Sequence, residues 1–98
     1  IMKSIKVSIL GKHYPLKVED HEEESMIRIC KFVDDRFKTY RQQLVKQPES
    51  TVMVLAALSI AEELFEARAS KSNMEESEEV LMERVNSSIE RLLSEIRE

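Results

Sequence analysis

The alternation of apolar and polar residues at the start of the chain predicts a β-hairpin. The segment IKVSIL, residues 5–10, alternates as a strand with one buried face does. After a turn supplied by Gly11 and Lys12, the segment HYPLKV, residues 13–18, alternates again. Pro15 has no backbone N–H and therefore belongs at a sheet edge or an unpaired position. Because two strands are marginally stable alone, the hairpin is expected to pack on a helix or a second subunit.

A helical period of apolar residues follows the hairpin. Asp20 and Glu23 have the spacing of a capping box and predict the start of a helix. From Met26 to Leu44, apolar side chains recur every three or four residues, which is the period of one helix face. Pro48 interrupts the pattern, so the first helix is expected to end before it.

A second helix is predicted from Ser50, because no Gly or Pro occurs between this residue and the end of the chain. About 48 helical residues would extend roughly 70 Å. A compact fold of the first 50 residues has a radius of gyration near 10 Å, so most of this helix would leave the head. Its first third is apolar on several sides, which indicates a core shared between subunits and makes Leu58 and Phe65 expected contacts there.

The end of the second helix carries the apolar pattern of a coiled coil. Five residues repeat at spacings of three, four, three and four, namely Met82, Val85, Ile89, Leu92 and Ile96. Such a seam buries nothing unless another helix lies against it, so this tail is expected to be an assembly surface. The glutamate-rich residues 75–79 weaken the helix before the seam.

These patterns predict an α+β fold. A small N-terminal β-hairpin plus helix forms a head, residues 1–48, and a long C-terminal coiled-coil helix occupies residues 49–98. The chain of 98 residues fits one small domain, and no linker or repeat divides it. Its most apolar run, residues 51–61, is about half of the ~20 residues that a membrane span needs. With one cysteine and no segment resembling a signal peptide, a reducing cytoplasm is the expected location.

Charge is distributed unevenly along the chain. Residues 1–48 carry ten Lys and Arg against seven Asp and Glu, a net charge of +3, and residues 49–98 carry five against twelve, a net charge of −7. A helical projection at ~100° per residue places a basic face opposite the apolar stripe of the first helix. That face comprises Arg28, Lys31, Lys38 and Lys46, with Arg36 and Arg41 flanking the stripe.

The sequence offers no catalytic or metal-binding constellation, so neither an enzyme, a cofactor nor a small-molecule substrate is expected. His13, His21 and Cys30 stand at no metal-ligand spacing, and the thiol falls on the apolar stripe, where an inert buried side chain is the usual outcome. Glutamates in residues 62–66 lack the Glu-x-x-His companions of carboxylate metal sites. A single glycine cannot build a phosphate-binding loop.

The basic face has three interpretations. It can be a solvated surface with ion pairs to Asp34 and Asp35, which is an ordinary feature of an exposed helix. It can bind nucleic acid, but the acidic tail and the lack of aromatic residues between the basic ones disfavour this. An acidic protein surface is the more economical partner.

The order of three segments resembles the ZapA family of bacterial cell-division proteins. These are IKVSILGKHYPLKV, then FVDDRF in the first helix, then VLAALSIAEELFEAR at the start of the second. The resemblance covers nearly the whole chain and implies a head that forms a homodimer and a coiled coil that joins two dimers into an antiparallel homotetramer. It further implies a non-enzymatic protein that binds FtsZ, the tubulin-like GTPase, and cross-links its protofilaments in the Z-ring at the mid-cell division septum.

The resemblance also suggests residues for both interactions. It assigns filament contact to Lys12 and, in the region between the helices, to Arg41, Lys46 and Glu49. Together with the basic face, the expected FtsZ-binding set is Lys12, Arg28, Lys31, Lys38, Arg41, Lys46 and Glu49. Met82 matches the position where dimers meet, and the expected oligomerisation set is Leu58, Phe65, Met82, Val85, Ile89, Leu92 and Ile96. The alternative function is a coiled-coil adaptor for another acidic protein or nucleic acid.

Overall fold

The structure is a computed structural model that describes residues 1–70, 78–94 and 96. It confirms the α+β class. The elements in chain order are strand β1 (Met2–Ile9), strand β2 (Lys12–Glu19), a 3-10 turn (Asp20–Glu22), and helices α1 (Glu23–Gln43), α2 (Glu49–Ser70) and α3 (Glu78–Leu93). By its internal contacts the chain divides into unit 1, Ile1–Thr39, and unit 2, Tyr40–Glu98.

The two strands of unit 1 form the predicted antiparallel hairpin. Val7 lies opposite Tyr14 in the register, and Val7 and Val18 are buried. Each strand of a two-stranded sheet is an edge strand, which confirms the prediction that Pro15 occupies an edge.

The hairpin turn lies one residue earlier than predicted. Ile9 pairs with Lys12, so the two-residue loop is Leu10–Gly11 and Lys12 is the first residue of β2. Leu10 has φ 51° and Gly11 has φ 81°. Positive φ at both loop residues is the type I′ geometry, whose twist matches the flanking strands.

A 3-10 turn precedes α1, and the capping box lies one residue earlier than predicted. The capping box is formed by Glu19 and Glu22, and Glu22 Oε1 accepts a hydrogen bond from the Glu19 N–H at 3.1 Å. The predicted capping pair, Asp20 and Glu23, is therefore wrong by one residue, because the 3-10 turn begins directly after β2. Glu23 instead accepts a hydrogen bond from the Lys3 ammonium at 2.8 Å, which ties β1 to the start of α1.

The apolar stripe predicted for α1 is buried or half-buried along its length. Cys30 and Phe37 are buried in unit 1, and the stripe continues through Tyr40, which is fully buried, to Leu44 just beyond the helix. The free thiol of Cys30 is thus an interior side chain, as its position on the stripe indicates.

Two helices, α2 and α3, occupy the region where one long helix was predicted. Arg91 Nη2 donates hydrogen bonds to both carboxylate oxygens of Glu62, at 2.9 and 2.8 Å, and Arg84 Nη1 lies 3.4 Å from Glu63 Oε2. In one continuous helix, residues 62 and 91 would be roughly 44 Å apart. The structure therefore corrects the single helix to a packed pair. Of the glutamate-rich stretch expected to weaken the helix, residues 75–77 lie outside the described residues.

We expect Tyr40→Phe to leave the protein as stable as the wild type or slightly more stable. The Tyr40 hydroxyl is buried and has no hydrogen-bond partner among the described residues. Its removal relieves an unsatisfied polar group, so the free energy of unfolding should stay equal or rise by up to about 1 kcal/mol. Urea unfolding followed by circular dichroism measures this, with Tyr14→Phe at a more exposed position as the control. A loss of stability in Tyr40→Phe alone would contradict the prediction.

Candidate interaction surfaces

The residues of the predicted FtsZ-binding set are all exposed, and they fall in both units. Unit 1 contains Lys12, Arg28, Lys31 and Lys38, and unit 2 contains Arg41, Lys46 and Glu49. Arg36, which the helical projection placed beside the apolar stripe, is only 6 % exposed, and its guanidinium lies 5.0 Å from the centroid of the Phe32 ring. The Arg36 guanidinium is therefore packed in a cation–π contact with the Phe32 ring rather than exposed to solvent.

Ion pairs divide the cations of this set into two groups. Lys31 Nζ lies 3.3 Å from Asp35 Oδ2, and Lys38 Nζ lies 2.9 Å from Asp34 Oδ2. The other four cations of the set make no ion pair within the described part of the chain, and we call them the free cations: Lys12, Arg28, Arg41 and Lys46. A partner can bind these four without displacing an existing ion pair, whereas Lys31 and Lys38 would first have to leave their carboxylates.

Asp34 links helix α1 to the hairpin turn. Its Oδ1 accepts a hydrogen bond from the Leu10 N–H at 2.7 Å, and its other oxygen, Oδ2, holds Lys38. The side chain of Asp34 is 15 % exposed, against 58 % for Asp35. From the sequence pattern, both aspartates are expected to act alike, as ion-pair partners of the basic face. The sequence gives only a weak sign that Asp34 and Asp35 differ. The hairpin loop is Leu-Gly, whereas type I′ turns favour Asn-Gly, so this loop needs an additional contact to hold its shape.

The Asp34–Leu10 contact should persist at neutral pH and disappear in strong acid. The Leu10 N–H, and then the Lys38 ammonium and the more distant Lys31 charge, lower the pKa of Asp34 below its ordinary range. A carboxyl whose pKa is lowered by folding stabilises the fold above its unfolded pKa, and the effect is lost as pH falls through the folded pKa.

An NMR titration of the Leu10 amide measures this loss. The amide proton should hold its shift from neutral pH down to about pH 4, the ordinary Asp value, and move only below it. Asp34→Asn is the control, and its Leu10 amide should lack this transition. A transition centred above pH 4 in the wild type would contradict the prediction.

A second surface lies along α2. Val54, Leu58 and Phe65 are 57 %, 45 % and 68 % exposed, and their spacings of four and seven residues place them on one face. Val52, on the far side of the helix from these residues, is buried, and so is Leu55, which lies between the two sides. Helix α2 is thus apolar on several sides, as predicted, and the described residues leave the side with Val54, Leu58 and Phe65 exposed. Large apolar side chains exposed along one helix face are typical of an interaction site.

The predicted coiled-coil seam is divided by the packing of α3 on α2. Val85 and Ile89 are buried and Leu92 is half-buried, whereas Met82 and Ile96 are 37 % and 39 % exposed. The helix that covers the inner seam residues in this structure is α2 of the same chain. Met82 and Ile96 remain available to another molecule.

A shallow groove of about 200 Å³ runs between α2 and α3. It is lined by Ser59, Glu62, Glu63, Glu66, Arg84, Ser87, Ser88 and Arg91. Arginines face its glutamates, since Arg91 pairs with Glu62 and Arg84 with Glu63. The described residues contain no group of three or more His, Cys, Asp or Glu side chains placed to hold a metal ion. Within the same residues, no helix is both long enough and apolar enough to cross a membrane.

Comparison with known proteins places these surfaces in a family context. Residues 5–96 match the family model described as cell division protein ZapA. The match spans the hairpin turn, helices α1 to α3 and both exposed surfaces. A search of curated proteins and a search of solved structures gave no significant match.

Proposed function

Because the chain belongs to the ZapA family of non-enzymatic, FtsZ-associated cell-division proteins, we propose that it binds FtsZ filaments and cross-links them into bundles. The observation that carries this proposal is the family match over residues 5–96, which includes both the cations of the head and the tail helix. The action takes place at the mid-cell division ring, where bundling promotes assembly and stability of the ring.

Filament binding rests on the free cations. Lys12 adjoins the hairpin turn, and Arg28 and Arg41 lie on α1. An acidic filament surface is attracted to these charges, and such contacts are individually weak and screened by salt. We assign a supporting role to Lys31 and Lys38, because each is already paired with an aspartate.

Cross-linking requires that one assembly carries several binding sites. We assign residues 1–48 to the filament-binding head and residues 49–98 to assembly. The exposed stripe of Val54, Leu58 and Phe65 supports association of two chains, and Met82 supports association of two dimers. Weak sites gain avidity when several of them engage one bundle at the same time, provided that their spacing permits it.

Sedimentation with FtsZ tests the proposal, with light scattering of the same samples. The protein should pellet with FtsZ in the presence of GTP and raise the scattering. Raising the salt from about 0.01 M to about 0.1 M shortens the Debye length from about 30 Å to about 10 Å and should weaken both signals. FtsZ alone at each salt concentration is the control. If the protein stays in the supernatant at the lowest salt, the proposal fails and the adaptor alternative takes its place.

A further inference from the structure

The loop that precedes Lys12 adopts a conformation that its sequence disfavours. Leu10, with φ 51°, and Gly11, with φ 81°, both lie in the left-handed region. Glycine enters this region freely, but in Leu the Cβ approaches the following carbonyl oxygen. Type I′ loops therefore favour Asn-Gly or Asp-Gly, and Leu-Gly needs an additional contact to hold the same shape.

Asp34 supplies such a contact from helix α1. Its carboxylate accepts the Leu10 N–H at 2.7 Å, and a hydrogen bond to an ionised acceptor is about twice as strong as one between neutral groups. Lys38 occupies the second carboxylate oxygen at 2.9 Å, so both oxygens of Asp34 have a partner and the side chain has one preferred orientation.

We propose that Asp34 is a positioning residue for the filament contact, because it holds the Leu10–Gly11 turn in the left-handed geometry and so fixes where Lys12 is presented. This proposal rests on the proposed function, in which Lys12 contacts the filament. It also changes the role of Lys38, which acts by orienting Asp34 rather than by touching the partner.

Asp35 provides a matched control on the same helix. Asp34→Ala and Asp35→Ala each remove one negative charge and one i,i+4 ion pair with a lysine. Of the two carboxylates, Asp34 is the one that also contacts the hairpin turn. Because both variants change the net charge equally, a difference between them does not arise from net charge, and a change at the Leu10 amide reports the contact with Asp34.

The first experiment needs no partner and follows the Leu10 amide by NMR. Asp34→Ala should move the Leu10 amide proton upfield and increase its solvent exchange, while Asp35→Ala leaves it unchanged. Asp34→Asn keeps an acceptor oxygen without the charge and should fall between the two. It also preserves the test if Asp34→Ala fails to fold. An unchanged Leu10 amide in both Asp34 variants would overturn the proposal.

The second experiment measures binding by co-pelleting with FtsZ and includes a rescue. Asp34→Ala should bind roughly tenfold more weakly than the wild type, the factor by which losing one charge-assisted contact can lower the population of the correctly shaped turn. Asp35→Ala should remain within about twofold. Adding Leu10→Asn to Asp34→Ala should restore binding, because Asn-Gly adopts the type I′ turn without help.

The outcomes separate this proposal from the proposed function. A rescued double variant supports positioning, because the Leu10→Asn substitution repairs the turn without restoring the carboxylate. Binding lost in Asp34→Ala but not rescued, or equal binding by Asp34→Ala and the wild type, would overturn it. If the wild type itself does not co-pellet, the filament function fails, and the Leu10 amide still decides whether Asp34 orders the turn.

Discussion

Met82→Glu is expected to abolish bundling of FtsZ filaments while leaving the binding of the protein to single filaments intact. Met82 lies on α3 and is 37 % exposed, so a charged side chain can replace it without entering the core. At an apolar contact between two molecules, the same charge would be desolvated and unpaired. Because linked sites can exceed the affinity of one site by about 10²–10⁴, loss of the linkage removes most of the bundling activity.

Three measurements test the predicted loss of bundling in Met82→Glu. Multi-angle light scattering gives the mass of the assembly, electron microscopy shows whether filaments are single or bundled, and co-pelleting gives the binding. Met82→Leu is the matched control and should behave as the wild type in all three, since it keeps an apolar side chain of similar volume. A Met82→Glu protein with an unchanged mass and normal bundles would exclude Met82 from the assembly contact.

Val85→Asp should have a large effect of a different kind, on folding rather than on assembly. Val85 is 2 % exposed on the face of α3 that packs on α2. A carboxylate there would be buried without a partner, and the free energy of unfolding should fall by about 3 kcal/mol or more. In a small domain such a change lowers the melting temperature by roughly 12 °C or more.

Val80→Asp is the control for this substitution. It makes the same chemical change on the same helix at a position that is 49 % exposed, in the first turn, where a negative charge interacts favourably with the helix dipole. Thermal unfolding followed by circular dichroism should separate the two variants clearly. Similar melting temperatures would show that α3 does not depend on its contact with α2.

Met82 and Val85 are one turn apart in the same seam, yet the two substitutions test different properties. The sequence assigned both residues one role, because both fit the same repeat. Their exposures of 37 % and 2 % show that one is a surface residue of the folded chain and the other an interior residue. Under the assembly role proposed for Met82, we therefore expect Met82→Glu to disrupt assembly without unfolding the protein.

The sequence by itself determined the local elements. The hairpin and the buried stripe of α1 follow from periods of two and of three to four residues, which depend only on near neighbours along the chain. The exposed position of Arg28 follows from the helical period, whereas the resemblance to the ZapA family is what pointed to Lys12. The order of three segments also indicated the family, which the match over residues 5–96 confirms.

Only the tertiary structure decided the contacts between residues distant in the chain. Asp34 reaches Leu10 across 24 residues and Arg91 reaches Glu62 across 29, and no local period encodes either pair. The pairing of α3 with α2 was missed for the same reason. The apolar face of an amphipathic helix must pack against other apolar residues. The sequence pattern does not specify whether those residues belong to the same chain or to another molecule. Likewise, Asp34 and Asp35 are equivalent in the sequence pattern, and it is the fold that places the hairpin turn against Asp34.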